Sequence, residues 1–129
     1  MKVVAVDYGS ARTGVAVSDP SGTIARPLDV VERVGEESGL KRLVDLIRAE
    51  EADRVVVGLP LTLRGERGQQ AQETESFVEA LRDAVEVPVE TFDERFTTRL
   101  AQGAPGPDDA RAAAHLLSSY LEWSSAGRE

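Results

Sequence analysis

The chain has 129 residues, no cysteine and a formal net charge of −8 at pH 7. The length predicts a single domain, the missing cysteines exclude disulfides and thiolate metal sites, and no stretch approaches the roughly 20 apolar residues of a membrane span. The N-terminus lacks the apolar core of a signal peptide, so we expect a cytoplasmic protein, and the acidic charge by itself speaks against a nucleic-acid partner.

The first part of the chain predicts three strands and a helix. Residues 2–7 form a short apolar strand that ends on an acid, residues 14–18 a second strand and residues 24–31 a third. The sequence Asp-Pro-Ser-Gly at residues 19–22 supplies a hairpin-type turn between the second and third strands. From Ser38 onward, apolar residues recur at helical spacing, which predicts the first helix.

Strands and helices then alternate. Residues 54–59 (RVVVGL) are a continuous apolar run, which is typical of a strand buried on both faces. A polar, glycine-bearing loop at residues 62–68 leads into a helix at residues 70–85. Residues 87–92 form a fifth strand that ends in Asp-Glu.

The end of the chain predicts a short helix at residues 96–101 and, after a break rich in proline and glycine, a last helix at residues 108–123. Residues 124–129 are expected to be a frayed tail. The order β-β-β-α-β-α-β-α predicts one α/β domain over residues 1–123, with a mixed five-stranded sheet flanked by helices. Ribonuclease H-like folds share this order, and a right-handed crossover places the fifth strand beside the fourth.

Asp7 is the first candidate for a functional residue. It ends the first strand and precedes a link that contains Gly9 and Gly14. A carboxylate beside glycines, which let a phosphate come near the backbone, suits a magnesium or manganese site. The structural alternative is an aspartate that closes the turn onto a backbone amide.

The second candidate is the acidic pair Asp93 and Glu94, at the end of the fifth strand. Adjacent residues of an extended segment point to opposite faces, so only one of the two can bind a metal directly. We favour Glu94 as catalytic residue and ligand because its longer side chain reaches further, with Asp93 as the alternative. The structural alternative is that these residues cap the helix that follows.

The third candidate is Asp109, at the start of the last helix. Ala113, Leu116 and Tyr120 follow it on the same helical face, which predicts that Asp109 begins the stripe packed on the sheet. Burying a charged carboxylate in a core costs free energy unless a cation or a hydrogen-bond donor contacts it. The alternative is an acid that meets the helix dipole, a role that Asp108 can fill.

Carboxylates from the first strand, the fifth strand and the last helix can converge at one edge of the sheet. Hard cations with oxygen ligands would satisfy them, and two such ions can clamp the attacking and leaving oxygens of a phosphoryl displacement. This hypothesis needs no histidine base. His115, the single histidine, is expected to pack within the last helix.

Basic and hydroxyl residues near these acids are candidates for phosphate contacts. The loop after the fourth strand can contact phosphates, although an ordinary surface loop is the alternative. The residues that we predict to bind nucleic acid are Gly9, Arg12, Thr62, Arg64, Arg67, Arg95, Thr97, Thr98 and Arg99.

Four segments together resemble the YqgF family, also called RuvX, bacterial relatives of the RuvC resolvase in the ribonuclease H-like superfamily. They are VVAVDYGSARTGVAVSD, VVVGLPLTLRGERGQQAQ, VPVETFDERFTT and DARAAAHLLSSYLE, spread over residues 3–122. By this resemblance, Asp7, the Asp93–Glu94 pair and Asp109 match the family's acidic positions.

The resemblance implies a nuclease that depends on Mg²⁺ or Mn²⁺. The family is described as Holliday-junction resolvases and as nucleases that mature the precursor of small-subunit ribosomal RNA. The implied partner is structured RNA or branched DNA, with no membrane, and the protein is expected to be a monomer or a weak homodimer. Symmetric cutting of a junction favours a twofold dimer, whereas RNA processing makes no such demand.

One departure from the family pattern concerns phosphate binding. Family members carry a basic loop before the final aspartate, whereas residues 100–107 of this chain contain no basic residue. Phosphate contacts would therefore have to come from arginines elsewhere in the chain.

Two other functions are compatible with the sequence. An actin-like phosphotransferase also opens with an aspartate-glycine turn, but it needs two such domains around its nucleotide. A non-catalytic binding module on the same fold is favoured by the acidic charge and by the missing basic loop.

Overall fold

The computed structural model describes residues 1–60, 68–94 and 109–125. The elements are β1 (Val3–Asp7), β2 (Arg12–Ser18), β3 (Ala25–Glu32), α1 (Glu37–Ala49), β4 (Arg54–Leu59), α2 (Gln69–Ala84), β5 (Val89–Asp93) and α3 (Asp109–Ser125). This order confirms the predicted succession of strands and helices. The predicted short helix at residues 96–101 lies outside the described residues, as does the predicted loop except for Gly68.

The five strands form one mixed sheet with β1 at its centre. The strand order is β3-β2-β1-β4-β5. β1 pairs antiparallel with β2 and parallel with β4, and β5 runs parallel to β4, as the crossover argument predicted. Because β1 is covered on both faces, its first four residues are all apolar and at most 2% exposed.

The helices pack on the two faces of this sheet. Val4 and Val6 belong to the core that α1 and α2 cover, whereas Val3 and Ala5 belong to the core that α3 covers. Side chains alternate between faces along a strand, so Asp7 falls on the α3 face. The apolar residues that α3 buries on this face are Ala113, Leu116, Leu117, Tyr120 and Leu121.

Three boundaries differ from the sequence-based prediction by two residues, and several others differ by one. β2 begins at Arg12 because its first residues already pair with the end of β3. β5 begins at Val89, since the preceding Pro88 has no N–H to donate to the ladder. α3 continues to Ser125, so the first two residues of the predicted frayed tail are helical.

The last turn of α3 is supported by aromatic packing, with ring centroids of Trp123 and Phe92 5.4 Å apart. In the described parts of the chain, no helix combines the length and the apolar character needed to cross a membrane.

Candidate active site

Asp7 lies between two glycines on the α3 face of the sheet. It pairs across strands with Gly14 of β2. On its other side, Val6 pairs with Val57 of β4, and Gly58 is the next residue along that strand. The residue that ends the central strand is therefore flanked by two positions with no side chain.

Gly14 lets the beginning of α3 lie directly on the sheet. A Cβ added to Gly14 would lie 1.8 Å from the carbonyl oxygen of Asp109 and 2.3 Å from its carbonyl carbon. Backbone atoms cannot approach any other residue type so closely. This contact brings Asp109 beside Asp7.

Gly58 provides the corresponding space for Glu94. A Cβ added to Gly58 would lie 2.7 Å from the Glu94 Oε2 atom and 3.0 Å from its Cγ atom. The side chain of Glu94 therefore lies across Gly58, on the face where Phe92 packs under α3. By strand alternation, Asp93 points to the other face.

Burial and like charge raise the pKa values of Asp7 and Glu94. Desolvation, followed by the negative charge of Asp109, raises the pKa of Asp7 to about 6. Desolvation, followed by the charges of Asp7 and Asp93, raises the pKa of Glu94 to about 7. Asp7 is thus electrostatically coupled to an acid on each side, and the gathered charge favours binding of a proton or a cation.

Arg12 supplies a positive charge at this cluster. Its Nε atom lies 3.1 Å from the Oδ2 atom of Asp109. The turn before Arg12 is closed by the buried side chain of Thr13, whose Oγ1 donates to the Gly9 carbonyl at 3.2 Å and accepts from the Gly9 amide at 3.3 Å. The Gly9 amide, predicted to contact phosphate, already has a partner within its own turn.

The acids fit a hard divalent cation in their chemistry, since carboxylate oxygens are the ligands that Mg²⁺ and Mn²⁺ prefer. Among residues 1–60, 68–94 and 109–125, no three acidic or histidine side chains lie close enough together to hold one ion. Electrostatic coupling joins the carboxylates predicted to converge in two pairs, Asp7 with Glu94 and Asp7 with Asp109. A cation at either pair would offset the like charge that, after burial, raises the pKa values of Asp7 and Glu94.

His115, which was expected to pack within the last helix, is half-buried in α3. The predicted nucleic-acid contacts that lie outside the described residues are Thr62, Arg64, Arg67, Arg95, Thr97, Thr98 and Arg99.

The sequence-based prediction missed that Gly14 and Gly58 make room for Asp109 and Glu94, and it related Gly14 only to the approach of a phosphate. Each is the one glycine inside a buried strand, in RTGVAVS and RVVVGL respectively. A glycine inside a strand weakens it and often marks close approach of another group, so this signal was available in the sequence.

The strand order and the helices on both faces of the sheet define a ribonuclease H-like α/β fold. RuvC of Thermus thermophilus, solved in complex with a Holliday junction substrate, matches with a TM-score of 0.68. The match covers 98% of this chain and 96% of that one at 18% sequence identity, so it shows the shared fold.

The chain belongs to the RuvX family, described as Holliday junction resolvase, whose model matches residues 1–123. A relative from Rubrobacter xylanophilus is 44% identical over 131 residues, covering 94% of this chain and 92% of the relative. A relative from Chloroflexus aurantiacus is 44% identical over 100 residues, covering 78% of this chain and 65% of the relative, just under two thirds of its length. Both are named as a pre-16S rRNA nuclease.

Adding one methyl group at Gly14 should destabilise the protein. We expect Gly14→Ala to lower the free energy of unfolding by about 2–3 kcal/mol, because the backbone of α3 cannot yield without leaving the sheet. Gly35→Ala is the control, since a Cβ there meets nothing within 4 Å. Urea denaturation measures both variants, and equal stability of the two would contradict the close seating of Asp109 on Gly14.

Neutralising Asp7 should stabilise the metal-free protein at alkaline pH. Its pKa rises from an ordinary 3.8 to about 6 on folding, so the native state binds more protons between these values and its stability falls as pH rises through them. Asp7→Asn removes this loss. We expect the variant to be more stable than the wild type by about 1–2 kcal/mol at about pH 8, and the difference to vanish below about pH 4.

Chemical denaturation in the presence of a chelator measures this difference. Asp83→Asn, on the exposed side of α2, is the control for loss of one negative charge. A lower stability of Asp7→Asn at about pH 8 would show that the ionised carboxylate has a favourable partner in the folded protein.

Proposed function

We propose that this protein is a divalent-metal-dependent endonuclease in which Asp7, Glu94 and Asp109 hold Mg²⁺ or Mn²⁺ and form the catalytic site. The observation that carries the proposal is the position of Asp7 between Gly14 and Gly58. The missing side chains bring one further acid to each side of Asp7.

In this proposal the carboxylates bind and orient the cation, and Asp7 is a member of both acid pairs. When bound, the metal supplies charge neutralisation and an activated water for phosphodiester hydrolysis. The acids must be ionised to act as ligands, so the raised pKa values of Asp7 and Glu94 make metal affinity increase with pH. No histidine base is needed in this scheme.

The substrate that we propose is RNA, at the 5′ end of the small-subunit ribosomal RNA precursor. Support comes from the two relatives that are 44% identical, both named as a pre-16S rRNA nuclease. We place this activity in the cytoplasm, with the protein acting as a monomer or a weak homodimer.

Four-way junction DNA is the second candidate substrate. The description of the family as Holliday junction resolvase favours it. RuvC, solved with such a junction, shares the fold at 18% identity, which is a weaker argument for a shared substrate.

Cleavage assays test the proposed function directly. We expect the wild type, with Mn²⁺ or Mg²⁺, to cut a labelled RNA that spans the 5′ end of the mature small-subunit RNA more efficiently than a four-way DNA junction. In metalloenzymes, mutating a residue that hydrogen-bonds to a metal ligand lowers metal affinity or activity about 10–100-fold. Asp7→Asn removes a proposed ligand itself, so we expect the cleavage rate to fall at least about a hundredfold.

His115→Asn is the matched control and should keep its activity, because the scheme uses no histidine. Cutting that survives in Asp7→Asn would point to a contaminating nuclease. Absence of any metal-dependent cutting by the wild type would favour a non-catalytic binding module on this fold.

A further inference from the structure

The ion pair between Arg12 and Asp109 joins two residues of the candidate site. Arg12 begins β2 and Asp109 begins α3, and the side chains are 55% and 30% exposed. The same Asp109 carboxylate contributes to the raised pKa of Asp7. The guanidinium of Arg12 therefore contacts the acid that, with Asp7, forms one of the two carboxylate pairs.

We propose that Arg12 is the resident counter-ion of Asp109, that a divalent cation displaces it when it binds between Asp109 and Asp7, and that the released guanidinium then becomes available to a substrate phosphate. Arg12 is thus a positioning residue for the acids before the metal binds. This inference rests on the proposed function, since it assumes that the carboxylates hold a divalent cation.

The ion pair between Arg12 and Asp109 is exposed, so a competing cation can replace the guanidinium at little cost in free energy. An exposed ion pair contributes about 0.2–1 kcal/mol, and the Nε atom of Arg12 lies 3.1 Å from the Oδ2 atom of Asp109. A divalent cation carries twice the charge and suits carboxylate oxygens better than a guanidinium does.

The backbone around Arg12 is fixed, so exchange needs to move only its side chain. Thr13 bonds back to Gly9 on one side of the turn. The carbonyl of Ala11 accepts from the amide of Arg33 at 3.1 Å. The ion pair is also not needed to seat α3, because Asp109 rests on Gly14 through its backbone.

Calorimetric titration with MnCl₂ alone, in the absence of nucleic acid, tests this exchange. Arg12→Gln removes the competing charge, so we expect it to bind Mn²⁺ about two- to fivefold more tightly than the wild type, the factor that corresponds to an exposed ion pair. Arg12→Lys keeps the charge and should restore an affinity close to that of the wild type.

Arg42→Gln is the matched control. Arg42 forms an ion pair with Asp29 at the same distance of 3.1 Å and with similar exposure, 53% and 40%, but outside the acid cluster. Its loss should leave Mn²⁺ affinity unchanged. Without metal, Arg12→Gln should unfold at a lower urea concentration than the wild type, and saturating Mn²⁺ should abolish that difference.

Several results separate the two proposals. If the wild type binds Mn²⁺ and Arg12→Gln binds it equally or less tightly, the exchange is overturned while the metal site stands. If Arg12→Gln loses only affinity for an RNA oligonucleotide, Arg12 is a phosphate contact and not a counter-ion. If neither protein binds Mn²⁺, the proposed metal site fails and the exchange fails with it.

Discussion

The arrangement of the site depends on two missing side chains. Asp7 ends the central strand, and the strands on both sides of it carry a glycine on the same face, Gly14 and Gly58. The helix α3 and the side chain of Glu94 can reach the sheet only because no Cβ stands there. The next positions on the same face of the three strands are Ala5, Ala16 and Val56, which build the core. The space at Gly14 therefore admits the backbone of Asp109, and the space at Gly58 admits the side chain of Glu94. A fold selected only for stability would place hydrophobic side chains at these positions.

This constraint has an electrostatic consequence. The pKa values of Asp7 and Glu94 are raised by burial and by like charge, so keeping both ionised weakens the fold at alkaline pH. Natural proteins place such local conflicts at functional sites, where a ligand or a reaction compensates for them. A divalent cation is the compensation that we propose, and the guanidinium of Arg12 balances part of the charge until that cation binds.

Much of the fold was predictable from the sequence, because a period-2 or period-3.6 apolar pattern reflects which faces are buried. The apolar run of β4 gave its bounds without error, and the stripe that follows Asp109 on α3 is buried as predicted. Asp7, Asp109 and Glu94 were identified as candidates because acids at the ends of apolar elements stand out. The contacts of Gly14 with Asp109 and of Arg12 with Asp109 join residues about a hundred positions apart, and no local pattern reports such contacts. The contact of the Glu94 side chain with Gly58 likewise joins residues far apart in the sequence and could not be read from a local pattern.

The central claim is that the acids around Asp7 form a divalent-cation site, and a crystal structure with Mn²⁺ tests it most directly. Anomalous scattering identifies manganese independently of the surrounding density. We predict a manganese ion ligated by Asp7 together with Glu94 or Asp109, at carboxylate-to-metal distances of about 2.0–2.3 Å, the range for small hard cations with oxygen ligands. Manganese bound only at other carboxylates, or an absence of manganese beside Asp7 at saturating concentration, would contradict the account.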